Sequence, residues 1–154
     1  MRTILRWIPL STVLLFGCAT ASYAPAAPPF RTVASVKQLM EWVIDPAADI
    51  IWDSVKSVST DAGTKEFAPH TDAEWATVRN AAVVVAESGN LLMIESRARD
   101  GKEWMSAARR LTIAADIGRK AAESRNADAL FAAGGDIYEA CSGCHRRYAE
   151  HPGQ

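Results

Sequence analysis

From about Thr32 onward, apolar residues recur at steps of three and four, the period of a helix with one buried face. Four segments carry this pattern. The first runs from about Thr32 to Val58, with a stripe of Val36, Leu39, Met40, Val43, Ala47, Ile50 and Ile51. Asp45-Pro46 interrupts it. Proline there removes a backbone donor, so the helix is expected to bend, or to restart with Asp45 as cap and Pro46 in its first turn. Gly63 and Pro69 mark Asp61 to His70 as a loop. The second segment opens on Thr71-Asp72-Ala73-Glu74, a capping box, and its stripe is Trp75, Val78, Ala82, Val85, Gly89 and Leu92. The third opens on Asp100 and Glu103 in a similar cap arrangement and carries Trp104, Ala108, Leu111, Ala115, Gly118 and Ala122. Asn126 is the expected cap of the fourth. Its stripe is Leu130, Gly134, Ile137, Cys141, His145 and Tyr148, and Pro152-Gly153 is its expected stop. Alternating strand patterns and internal repeats are not evident. The fold class expected is all-α, an antiparallel up-down-up-down four-helix bundle.

Upstream of that pattern the chain changes character. Arg2 and Arg6 precede an apolar run from Trp7 to Phe16, the layout of a secretory signal. The run is too short to span a bilayer as a helix, which takes about 20 residues. Leu15-Phe16-Gly17-Cys18 resembles the lipobox of bacterial lipoproteins, in which the cysteine becomes the lipidated first residue, although Phe16 is bulkier than the small residue usual there. The competing reading is cleavage after Ala24, where Ser22-Tyr23-Ala24 fits the small-x-small rule and Cys18 is discarded. Both readings place the product outside the cytoplasm, in the periplasm, with Cys18 providing a membrane anchor in the first. The expected organisation is a signal over residues 1–18, an Ala/Pro-rich tether over 19–31 and one helical domain over 32–151. Loss of Arg2 and Arg6 leaves 15 basic side chains against 18 acidic ones, a net charge of about −3. No strongly basic surface is expected, so nucleic acid is excluded as a partner.

The 3 cysteines sharpen the picture. Cys18 ends the signal-like segment, while Cys141 and Cys144 flank Ser142-Gly143 and precede His145, so no pair is left for a structural disulfide. Cys141-Ser142-Gly143-Cys144-His145 is the C-x-x-C-H pattern of c-type haem attachment. On a helix, positions i, i+3 and i+4 share a face, so two thiols and an imidazole are presented to one flat ligand. The thiols add across the two vinyl groups of haem and the imidazole takes an axial position on iron, while small Ser142 and Gly143 let the porphyrin edge approach. A zinc site is the first competing reading, with His70 or His151 as fourth ligand. Adjacent Cys and His ligands strain a tetrahedron, however. A redox dithiol is the second, but the βαβ pattern that accompanies it is missing.

A C-x-x-C-H near the C-terminus of a four-helix chain, with Tyr148 three residues after the histidine, resembles the class II c-type cytochromes, the cytochrome c′ family. The resemblance covers about Thr32 to Tyr148. It implies one covalent haem c held by thioethers to Cys141 and Cys144, with His145 as proximal iron ligand, and a distal side supplied by the first helix. Met40 falls where the Met-ligated members place their sixth ligand. Met93 and Met105 lie at a suitable height but one position off their stripes, and any of these methionines could instead be core filler. With methionine bound, the iron suits electron transfer between redox partner proteins of the periplasm or membrane. With an apolar distal side it is five-coordinate and open to nitric oxide or carbon monoxide. We expect the electron carrier, and no enzyme: no nucleophile–base pair or carboxylate dyad stands out. Members of that family often dimerise through their first two helices, so a homodimer is among the expected partnerships. Arg146 and Arg147 are candidates to pair with haem propionates or an acidic partner, or simply form a solvated basic helix end. Trp42, Trp52, Trp75 and Trp104 are candidates to wall the haem, with core packing as the alternative.

Overall fold

The computed structural model describes residues 30–149. Cys18 with its signal-like segment, the tether up to Pro29, His151 and the Pro152-Gly153 stop lie outside the described residues. Those described are mostly helical. The elements in order are α1 (Val36–Leu39), a π-helical turn (Met40–Ile44), α2 (Asp45–Ser54), β1 (Lys56–Thr60), β2 (Gly63–Phe67), α3 (Asp72–Leu92), α4 (Glu103–Glu123) and α5 (Ala127–Tyr148). Among them no helix is long and apolar enough to cross a membrane.

Helix starts follow local chemistry. Thr71 and Glu74 satisfy each other's backbone donors in the capping box expected there. Ser35 and Gln38 do the same at the head of α1. The Asn126 side chain accepts the N–H of Ala129 at α5. At α4 the expected cap differs in detail. The helix begins at Glu103, and the Asp100 carboxylate reaches over to accept the Trp104 N–H at 2.9 Å.

The first segment departs most from expectation. Its helix ends at Ser54 rather than Val58, and an antiparallel hairpin follows where a loop was expected. Thr60 pairs with Gly63 across an Asp61-Ala62 turn, and Gly63 takes φ +124°, a conformation that suits glycine. β-Branched Val58, Thr60 and Thr64 favour the extended backbone. Nearly all of the hairpin is exposed, so no core imprints an apolar alternation on it. The helix itself contains the second departure. The Asp45 N–H donates to Met40 O, five residues back instead of four. Pro46 explains it: in an α-helix its ring would collide with the Trp42 carbonyl, and a wider turn accommodates it. Beyond this turn the helix restarts with Pro46 in its first turn. The turn re-phases the stripe, so Ile44 and Ala48 are buried while Ile50 is 42 % exposed.

The other three stripes are buried as read, down to the cysteine-bearing turn of α5. α3 packs along α4, α4 along α5, and α2 against both α3 and α5. Late α3 meets early α4 at Gly89, where an added Cβ would lie 2.2 Å from Thr112 Oγ1 and 2.9 Å from Ala108 O. Gly118 lies against Ala82 and Ala133. Ile51, Leu130 and Ile137 are fully enclosed at the centre. Each such side chain contributes about 1.5–3 kcal/mol of burial. Arg97, 9 % exposed, donates from its guanidinium to Ala34 O and Leu91 O, tying the approach to α1 to the end of α3. Nothing in the periodicity of the sequence singles out this arginine.

Candidate functional site

The last turns of α5 carry Cys141, Cys144 and His145, and all three line one cavity of about 340 Å³. The cavity lies where four helical pieces meet. The first helix supplies Met40, Ile44 and Ala48, the end of α3 supplies Leu92, and the start of α4 supplies Ala107, Ala108 and Leu111. Three contacts fix the end of α5 at this height. Tyr148 Oη–H donates to Asp100 Oδ2 at 2.5 Å, and the Tyr148 ring meets the Trp104 ring edge-on at 5.0 Å. Trp104 Nε1–H in turn donates to Leu92 O at 2.7 Å. One carboxylate, Asp100, thus serves both the start of α4 and the end of α5.

The lining is mostly apolar, and four of its members (Ala48, Ala107, Ala108, Ala140) carry only a methyl group. Small side chains on facing helices leave a slot rather than a filled core. Trp52 closes one side. Its Nε1–H donates to Gly134 O at 2.9 Å, bonding α2 to α5, and Gly134 leaves room for the indole, since a Cβ there would meet Trp52 Cδ1 at 3.3 Å. Tyr138 meets Trp52 edge-on at the cavity rim. Glu41 and Asp45 are the carboxylates on the lining.

The thiols are unpaired and half-buried. Burial pushes the Cys141 thiol above its usual range, with Cys144 and Asp45 adding to the effect. Cys144 is raised by burial too, against the opposing charge of Arg110. A reactive dithiol is favoured by the opposite shift, toward thiolate, so this burial does not favour the redox-dithiol reading. Among the described residues no three Cys, His, Asp or Glu side chains converge as metal ligands. His70 lines a separate cavity beside Glu74 at the head of α3, so it cannot complete a zinc site with Cys141 and Cys144. His151 lies outside the described residues.

The remaining sequence candidates divide as follows. Met93 and Met105 are partly buried against the core and do not line the cavity. Of the four candidate tryptophans, all among the described residues, only Trp52 faces it. Trp75 and Trp104 are core, and Trp42 is 64 % exposed. Arg146 and Arg147 are exposed, with the Arg147 guanidinium over the Tyr148 ring. Reading by stripes overlooked the placement of Trp52, although a tryptophan opposite a glycine on another helix is a signature of close packing.

The residues present fit a covalently held haem. Two thiols and an imidazole at i, i+3 and i+4 open onto one apolar slot, and a thioether side chain stands on the helix that forms the other wall. Comparison with family models, with curated proteins and with solved structures yields no match.

Proposed function

We propose that this chain is an exported monohaem c-type cytochrome, similar to the class II cytochrome c′ family in its Met-ligated form, and that it carries electrons rather than catalysing a reaction. On this reading the helices form an antiparallel up-down-up-down four-helix bundle with haem c near the end of the last one. The observation that carries the reading is a single one: Met40, far away in sequence, lines the same mostly apolar cavity as Cys141, Cys144 and His145.

When bound, haem c supplies a one-electron couple. The chain's own residues do the rest. Cys141 and Cys144 hold the group through thioether bonds, so it stays with the protein in either redox state. The His145 imidazole would hold the iron through a ring nitrogen. Met40 would offer a soft thioether sulfur, a ligand that favours the reduced state and raises the potential. Ile44, Leu111 and Trp52 exclude water, which lowers the local dielectric and limits reorganisation when the charge changes. The partners are redox proteins of the periplasm or membrane. Lipidation at Cys18, with the Ala/Pro-rich stretch as a tether, would keep the domain beside them.

The absorption spectrum of the oxidised protein tests the function. The weak red-edge band of iron–methionine sulfur bonding is expected, together with its loss and a lowered reduction potential in Met40→Ala. A high-spin spectrum with ready carbon monoxide binding in the unmutated protein would contradict electron carriage and support gas binding.

A further inference from the structure

The widened turn at Met40–Ile44 does more than make room for a proline. Leu39 and Ile44 are both 3 % exposed, packed into the same core, yet they are five residues apart. On an α-helix residues five apart point roughly 140° away from each other, so they could not share one buried face. The i→i+5 pairing of Asp45 N–H with Met40 O brings them together. In a regular helix the partner four residues before Ile44 is Met40, which would then take the core position that Leu39 holds. The wide turn thus decides between two neighbours. Leu39 goes to the core, and Met40, half-buried, goes to the cavity beside Glu41 and Ile44.

We propose that Pro46 is a positioning residue for the sixth iron ligand: by forcing the π turn it turns the Met40 sulfur out of the core and into the haem cavity. The inference rests on the haem reading above and adds to it the device that selects which side chain faces the iron. Pro46 touches neither sulfur nor iron. It acts through the Trp42 carbonyl it cannot approach and the donor it lacks. Its position is exposed and in a helix, so alanine there is compatible with folding and restores the missing donor.

The test uses the matured, reduced holoprotein with methionine methyl groups labelled with carbon-13. The Met40 methyl resonance, assigned by Met40→Leu, is expected to be strongly displaced by the haem and to lose that displacement in Pro46→Ala. In the oxidised holoprotein the sulfur–iron band should be lost as well, while haem content and helix content stay unchanged. A crystal structure of Pro46→Ala provides the second measurement, with Asp45 N–H expected on Glu41 O instead of Met40 O. An undisturbed methyl resonance in Pro46→Ala, or a π turn that persists there, overturns the proposal and leaves methionine ligation standing. A displaced methyl without a sulfur–iron band in the unmutated protein sinks the ligation reading alone, and the effect of Pro46→Ala on the displacement still decides the positioning role. An undisplaced methyl in the unmutated protein rejects both.

Discussion

Gly89 lies so tightly against α4 that a Cβ there does not fit unless something shifts. A Cβ would press on Thr112 Oγ1 and, behind it, on the backbone carbonyl of Ala108. The hydroxyl can rotate away, but the carbonyl cannot. Gly89→Ala is therefore expected to lower stability by about 1–3 kcal/mol in denaturant titration. Thr112→Ala in the same chain, which removes that oxygen, should recover only part of it. An unchanged midpoint would mean that the helices can separate at no cost. At this scale much was legible. Gly89 sat on the stripe read from the sequence, and Cys141, Cys144 and His145 could be singled out because their motif is local and its common face follows from helix periodicity alone. Ile50 was misplaced and Ile44 missed for the converse reason: their facing depends on a turn whose width no local rule of three and four encodes. Trp52 was one of four candidate tryptophans, and only its partner on another helix, Gly134, distinguishes it.

The elements meet at the site through one shared carboxylate. Asp100 accepts from Tyr148 Oη–H and from the Trp104 N–H, and those hydrogen bonds hold its carboxyl below the usual range, the tyrosine contact most strongly. Tyr148 is raised, by burial first and then by the bond to Asp100. The signs define a window. A depressed carboxyl stabilises the fold above its unfolded value and loses that contribution as the pH falls through its folded value. A raised phenol stabilises below its unfolded value and loses it as the pH rises through the folded one. The melting temperature of Tyr148→Phe should thus fall below that of the unmutated protein at neutral pH, and the gap should narrow in acid and again in alkali. A gap that is constant with pH would show that the hydroxyl does not anchor α5. The capping box at Ser35 and Gln38 went unread, whereas that of α3 was readable because it involves residues three apart. The hairpin was not, because a strand pair with both faces in water carries no apolar code. The π turn left a trace that could have been read, a five-residue step from Leu39 to Ile44 just before a proline.

For the molecule as a whole, packing brings residues 40, 92, 107 and 141–145 to one end of the helical assembly, leaving a slot lined by methyl groups. Four capped amphipathic helices with short connections made a mostly helical chain readable in advance. The depth of the slot was not, because it depends on which small residues of different helices face one another. The account rests on what fills that slot. The intact mass of the protein, matured by a host that attaches haem in its periplasm and measured after denaturation and thiol alkylation, tests this most directly. The expected result is a chain heavier by one haem, with Cys141 and Cys144 refractory to alkylation, and no added haem in Cys141→Ser/Cys144→Ser. A chain of unmodified mass with both thiols alkylated would contradict it.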